Sequence, residues 1–287
     1  MTKARRSMEE DIKLVDLVIE ILDARIPVSS RNPDINRIAG SKKRLILLNK
    51  ADLADDKASR KWIRYFGTQD IPCMLINARN FKDVNSLEPV ITEIMKDKIE
   101  KDRKKGYINT VVRAMVAGIP NSGKSTFINS FAKRSAAKTG NKPGVTKGRQ
   151  WIKISKSLEL LDTPGILWPR FDSETVGEHL AITGAINDDI LNKEQLACRT
   201  LIMLNDRYPE LLEKRYDVPA DLNDTECEDR DILHRAYLKL TDIAVKRNCV
   251  KKGGEADSEK AARLILDDLR SGRTGRISLE LPEDEID

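Results

Sequence analysis

Short apolar runs recur through the first part of the chain: 15–22 (VDLVIEIL), 44–48 (RLILL), 71–76 (IPCMLI), 111–117 (VVRAMVA) and 157–161 (SLELL). Each is of strand length, and stretches of helical character fall between several of them, which predicts an α/β domain built on a largely parallel sheet. Ligands of such sheets gather at the carboxyl ends of the strands, so chemistry is expected just after each run. The charged segment 96–106 (KDKIEKDRKKG) ends in Gly and predicts a helix end and connector between two halves of the sheet. Beyond about residue 181 the strand pattern stops. Ile232, Ala236, Leu240 and Ile243 lie on one helical stripe, as do Ala262, Ile265, Leu266 and Leu269, closed by Gly272. A smaller helical domain is therefore expected over 179–287, after an α/β domain over 1–178, and the acidic end 280–287 (ELPEDEID) has too little apolar content to order itself and is expected to be a loose tail.

Composition narrows this picture. With 287 residues, 40% of them hydrophobic, the chain can bury one sizeable core and a second smaller one. No run of 18 apolar residues and no signal peptide is present, which predicts a cytoplasmic protein with no membrane partner. Cys73, Cys198, Cys227 and Cys249 lack CxxC spacing and the chain has 2 histidines, so the thiols are read as reduced and structural rather than as zinc ligands. The net charge of +5 hides an asymmetry: +12 over residues 1–180 against −7 over the remainder. From Phe127 to Leu158 there are eight cations (Lys133, Arg134, Lys138, Lys142, Lys147, Arg149, Lys153 and Lys156) and no Asp or Glu. Such a run suits a polyanion and equally suits a solvated loop.

Two motifs carry nucleotide chemistry. Gly118-Ile-Pro-Asn-Ser-Gly123-Lys124-Ser125 follows the apolar run 111–117 and precedes a helical stretch near Thr126, which is the context of a phosphate loop. Its glycines let backbone N–H groups of Asn121, Ser122, Gly123 and their neighbours wrap phosphates. Lys124 supplies positive charge to them, and Ser125 can ligate Mg2+. Asp162-Thr-Pro-Gly165 follows the run 157–161, which puts Asp162 where it can hold Mg2+ through water and lets the Gly165 N–H approach a γ-phosphate. Between them, Thr146 of Pro143-Gly-Val-Thr146 can lend its hydroxyl to Mg2+ in a switch loop ordered by triphosphate.

The base is addressed earlier in the chain. Asn49-Lys50-Ala51-Asp52 ends the run 44–48. There the Asp52 carboxylate can accept two hydrogen bonds from guanine N1–H and the 2-amino group, a pair that adenine lacks. Asn49 can steady the loop, Lys50 can cover the base with its stem, and Asn77-Ala78 can offer a backbone N–H to guanine O6. Alone this tetrapeptide is also an ordinary surface turn; beside a phosphate loop it favours GTP and GDP over adenine nucleotides.

In common small GTPases the base motifs follow the phosphate loop, whereas here they precede it. The sequence resembles the circularly permuted GTPases, and most closely the ribosome biogenesis GTPase A (YlqF-type) family. The resemblance spans nearly the whole chain: DARIPVSSRNP at 23–33, NKADL at 49–53, GIPNSGKST at 118–126, KPGVTKG at 142–148, DTPGILWP at 162–169, and CVKKGGEAD through SGRTGRISLE late in the chain. It implies a Ras-like P-loop domain in permuted order, followed by a helical RNA- or ribosome-binding domain. It also implies a GTPase of late large-subunit assembly, with ribosomal RNA and the large ribosomal subunit as partners, attached as the GTP form and released on hydrolysis. Family members carry a histidine just before the stretch matching residues 1–5, so no role of that histidine transfers to this chain.

Ile166 stands where a Ras-like enzyme has the water-orienting glutamine, which leaves the catalytic group unassigned and predicts slow turnover alone, raised by a docked ribosomal particle. Asn121 resembles the asparagine that coordinates K+ beside the phosphates in some related GTPases. A second cationic set, Lys251, Lys252, Arg263, Arg270, Arg273 and Arg276, is a further candidate for RNA, and aromatic content of 5% argues for backbone and shape recognition over base stacking. A monomer is expected. The rival readings are a translation- or tRNA-linked GTPase and a GTP-sensing scaffold with negligible hydrolysis.

Overall fold

Among the described residues the apolar runs become five parallel strands: β1 (Leu17–Asp23), β2 (Lys43–Asn49), β3 (Cys73–Leu75), β4 (Val112–Ala117) and, after the short strand β5 (Gln150–Lys153), β6 (Leu158–Asp162). They form one sheet in the order β3-β2-β1-β4-β6-β5, with only β5 antiparallel, on the edge beside β6. The structure is a computed structural model that describes residues 2–107, 110–139, 150–162, 173–187, 192–222 and 229–285. It divides into two compact units, residues 1–51, 56–171 and 280–287 in the first and 52–55 and 172–279 in the second.

Every residue of β1 is buried, because the strand is central and covered on both faces. Alternation sorts its side chains. Leu17, Ile19 and Ile21 join Leu45, Leu47, Val116 and Leu160 on one face, where Phe127 and Phe131 from the Lys124–Thr139 helix pack with Val84, Leu87 and Ile91. Val18 turns to the other face, against Met115, Leu161, Met8, Ile12 and Ile35. The Phe127–Phe131 spacing of four places both rings on one side of their helix, 5.5 Å apart. Of the two buried acids of β1, Glu20 is neutralised by Arg31 at 3.1 Å and by Arg44, whose Nε donates at 2.7 Å.

The second unit is helical. The helices Glu174–Ile182, Lys193–Arg207, Pro209–Tyr216, Asp229–Lys246 and Ser258–Ser271 bury Leu196, Leu201, Leu204, Ala236, Leu240, Ile243, Ile265 and Leu266. Their ends follow from sequence chemistry: Asn192 caps the Gln195 N–H, Asp257 caps the Lys260 N–H, and Gly272 ends its helix at φ 77°. Asp268, 1% exposed, binds Arg215 at 2.7 Å and also Arg273.

One sequence expectation is corrected and one strand is added to those read from the sequence. Strand β5 was not foreseen, because Gln-Trp-Ile-Lys is short and sits in a cation-rich stretch. The acidic end is not a loose tail through residue 285: Glu280 is 6% exposed, its carboxylate accepts from the Val28 N–H at 2.7 Å and from the Ser29 N–H and hydroxyl, and its carbonyl accepts from Trp62 Nε1 at 3.1 Å. A Pro282–Glu285 3-10 turn follows. Composition misled here because the ordering contacts are polar clamps to residues distant in sequence, with Pro282 buried beside them. In the division into compact units, residues 280–287 fall with the first unit and 52–55 with the second.

Candidate functional site

Parallel pairing brings the carboxyl ends of β2, β3, β4 and β6 to one edge of the sheet, and each candidate segment in the first unit begins there. The turn after β4 is forced by small residues. A Cβ on Gly118 would lie 2.8 Å from the Ile21 carbonyl and 2.8 Å from Ser122 Oγ, and Gly123 at φ +95° would put a Cβ 2.1 Å from Asn49 Nδ2. Asn121 adopts the left-handed conformation at φ 57°, which asparagine tolerates better than most residues. Its side chain is exposed, as are those of Ser125 and Thr126 in the first turn of the Lys124–Thr139 helix. Ser122 is buried and donates its hydroxyl to the Ile119 carbonyl at 3.0 Å.

Lys124 is nearly buried at 9% exposure, and its ammonium donates to Asp162 Oδ1 at 2.8 Å. The phosphate-loop lysine and the acid at the end of β6 are thus in direct contact across 38 residues of sequence. An ammonium, a hydroxyl and a carboxylate within one small region are groups suited to phosphate and to a hard divalent cation. Thr146, Gly165 and Ile166 lie outside the described residues.

Asn49 closes β2 and is buried; its Nδ2 donates to the Ser122 carbonyl at 2.8 Å and its Oδ1 accepts from the Ala78 N–H at 2.9 Å. One side chain therefore joins the phosphate loop to the segment after β3. That segment is built by further local bonds. The Asn77 N–H donates to Asp83 Oδ2 at 2.8 Å, and Asn77 Oδ1 accepts from the Arg79 N–H at 2.9 Å. The N–H groups of Asn77 and Ala78, read from sequence as donors to guanine O6, both have acceptors within the protein here. Ala51 N–H donates to the Ile76 carbonyl at 3.1 Å, and Asp52, next in the chain, is exposed.

Lys50 takes φ 59° and its ammonium lies 2.9 Å from Asp23 Oδ2. Asp23, at the end of β1, also binds Arg25 through two guanidinium nitrogens at 2.9 and 2.8 Å. Burial opposes ionisation of Asp23, but the charges of Arg25 and Lys50 outweigh it and hold the carboxyl well below the usual carboxylate range. Sequence reasoning placed Asp23 and Arg25 only inside the DARIPVSSRNP resemblance; their position directly after an apolar run was the available signal.

Of the basic run, Lys133, Lys153 and Lys156 are exposed, and the side chains of Arg134 and Lys138 and the residues Lys142, Lys147 and Arg149 lie outside the description. The later cationic set is divided. Lys251 and Lys252 are exposed, whereas Arg270 donates to the carbonyls of Ala181 and Ile182, Arg276 donates to the Ala54 carbonyl, and Arg263 and Arg273 pair with Glu259 and Asp268. Among the described residues no helix is long and apolar enough to cross a membrane.

The family described as 50S ribosome-binding GTPase matches residues 113–239 of this chain. The ribosome biogenesis GTPase A of Bacillus licheniformis is 45% identical over 284 residues, covering 99% of this chain and 96% of that protein. Among solved structures, a GDP-bound TM YlqF has a TM-score of 0.65 at 26% identity, covering 97% of this chain and 100% of that one. A GNP-bound YlqF from T. maritima has a TM-score of 0.62 at 27% identity, covering 98% and 99%.

Proposed function

The chain belongs to the ribosome biogenesis GTPase A family, the circularly permuted GTPases of YlqF type, and is a GTPase; from that premise we propose that it acts as a GTP-driven switch in late assembly of the large ribosomal subunit. The GTP form attaches to the immature particle and hydrolysis releases it. The observation that carries the nucleotide half of this reading is the Asn49 side chain, which bonds both to Ser122 of the phosphate loop, 73 residues further along the chain, and to Ala78 after β3. The ribosomal half is supported by the names of relatives that match nearly the whole chain.

In this reading Asn121, Ser122, Gly123, Lys124, Ser125, Thr126 and Gly165 hold the phosphates, and Asn49, Lys50, Ala51, Asp52, Asn77 and Ala78 form the guanine pocket. Mg2+ fits the donor set: Ser125 offers an exposed hydroxyl and Asp162 a carboxylate, both hard oxygen donors, with Thr146 as the switch ligand. When bound, Mg2+ would neutralise charge on the phosphate oxygens. Lys124 is held by Asp162 and must exchange that carboxylate for phosphate as nucleotide enters. Asn121 is the candidate K+ ligand. The exposed Lys133, Lys153 and Lys156 support contact with ribosomal RNA phosphates, for which affinity should fall with salt.

Phosphate release from GTP and from ATP, in K+ or Na+, with and without purified large ribosomal subunits, tests the reading. Slow GTP turnover that rises with subunits and is lost in Lys124→Ala is expected. Turnover indifferent to subunits would remove the ribosomal role and leave only the GTPase. Preference for mature ribosomes or tRNA would favour a translation-linked GTPase, and GTP binding without multiple turnover would favour a scaffold.

A further inference from the structure

Asp23 and Asn49 are register partners at the ends of the adjacent strands β1 and β2, so Asp23 lies beside the start of the guanine segment. The carboxylate is 1% exposed and fully engaged. Arg25 approaches it with its backbone N–H at 3.1 Å and with its guanidinium, and Lys50 Nζ meets Oδ2 at 2.9 Å. The Asp23 N–H donates to Ser30 Oγ at 3.0 Å, and Ser30 in turn donates to the Ile26 carbonyl at 2.6 Å, so the acid is held from both sides.

Lys50 has the opposite problem. It adopts φ 59°, a conformation that disfavours a residue with a Cβ, by about 1–2 kcal/mol, and an exposed lysine stem would sample many rotamers. Here its side chain is only 24% exposed, with the ammonium anchored on Asp23 and the backbone anchored through the Ala51 N–H to the Ile76 carbonyl. With both ends fixed, the methylene stem has few conformations left.

We propose that Asp23 is a positioning residue for guanine-nucleotide binding, which tethers the Lys50 ammonium so that the Lys50 stem is preordered to cover the base. This rests on the reading of residues 49–52 as the guanine segment. The gain is entropic: a stem ordered before binding loses less freedom when the nucleotide arrives. Arg25 supplies the second cation that keeps the buried carboxylate charged, so that Lys50 binds an anion rather than a neutral acid. Asp23 touches no reacting atom in this scheme, so it should govern affinity and not the chemical step.

The test uses the full chain and a fluorescent GDP analogue in equilibrium titration, together with GTP turnover at saturation, for wild type, Asp23→Asn, Lys50→Met and the double variant. Lys50→Met keeps an unbranched stem and removes only the tether, and as a partly exposed change it leaves the fold intact if Asp23→Asn does not fold. Each single variant is expected to weaken GDP binding about tenfold, while saturated turnover in Asp23→Asn stays within about twofold. The double variant is expected to bind no worse than the weaker single, because both remove one arrangement. Wild-type affinity in Lys50→Met, fully additive losses in the double variant, or a fall in saturated turnover at unchanged affinity would each overturn the proposal. Failure of the wild-type chain to bind GDP would instead overturn the guanine reading itself.

Discussion

The Asn49 side chain holds Ser122 and Ala78 at once, donating through Nδ2 at 2.8 Å and accepting through Oδ1 at 2.9 Å. It is buried, so water cannot replace either bond cheaply. Asn49→Ala is expected to lower unfolding free energy by about 1–3 kcal/mol and to weaken GDP binding as well, since both loops lose one support. Asn49→Asp retains the acceptor for the Ala78 N–H but turns an anion toward the Ser122 carbonyl, and should be worse than Ala in nucleotide affinity. Thermal melting and equilibrium GDP titration of the two variants check this order; equal affinity in wild type and Asn49→Ala would show that the loops hold their shape without the bridge.

Gly123 admits no side chain. Its φ of +95° and the 2.1 Å approach of a built Cβ to Asn49 Nδ2 mean that Gly123→Ala must displace Asn49, which is itself held at both ends. Loss of nucleotide binding beyond that of Asn49→Ala is expected, with the double variant no worse than Gly123→Ala alone. A double-variant cycle read by GDP titration decides it.

Glu280 clamps the loop after β1. Removing its carboxylate takes away the acceptor of the part-buried Val28 N–H and of the buried Ser29 N–H. Glu280→Ala is expected to cost about 1–3 kcal/mol, and Glu280→Gln less, because one amide oxygen can still accept. Differential scanning calorimetry of both variants against the parent chain is the measurement; no change in either would mean the C-terminal residues are dispensable to the fold.

Acid should weaken the protein through two carboxylates. Burial opposes ionisation of both Asp23 and Asp268, but Arg25 with Lys50, and Arg215 with Arg273, hold their folded values below the ordinary range. A carboxyl group depressed on folding stabilises fully above its unfolded value, about 4, and loses that contribution as pH falls through the folded value. Urea midpoints are therefore expected to be little affected by these two groups between about pH 7 and 5 and to drop below about pH 4. Asp268→Asn should lower the neutral-pH midpoint and flatten part of the acid limb; an unchanged limb would show that Asp268 keeps the same proton affinity folded and unfolded.

Much of the architecture was legible because local chemistry and burial agreed. The run 15–22 became β1, 44–48 became the core of β2, and the stripe Ala262, Ile265, Leu266, Leu269 became the buried face of the Ser258–Ser271 helix. The four-residue edge strand β5 was not legible: it is paired on one side only, so its side chains carry little of the apolar pattern that marks β1. Nor was the order in the C-terminal residues, where the deciding contacts reach from Glu280 back to Val28, Ser29 and Trp62.

The sequence by itself determined the chemistry at the strand ends, since spacing alone puts Lys124 and Ser125 at a helix start and Asp162 and Asn49 at the ends of apolar runs. Tertiary structure decided which of these groups hold one another. Lys124 meets Asp162, Asn49 spans Ser122 and Ala78, and Asp23 takes both Arg25 and Lys50. Periodicity reports which face of an element is buried, but a hydrogen bond or ion pair between distant residues depends on strand order and register, and those are set only when the whole sheet assembles.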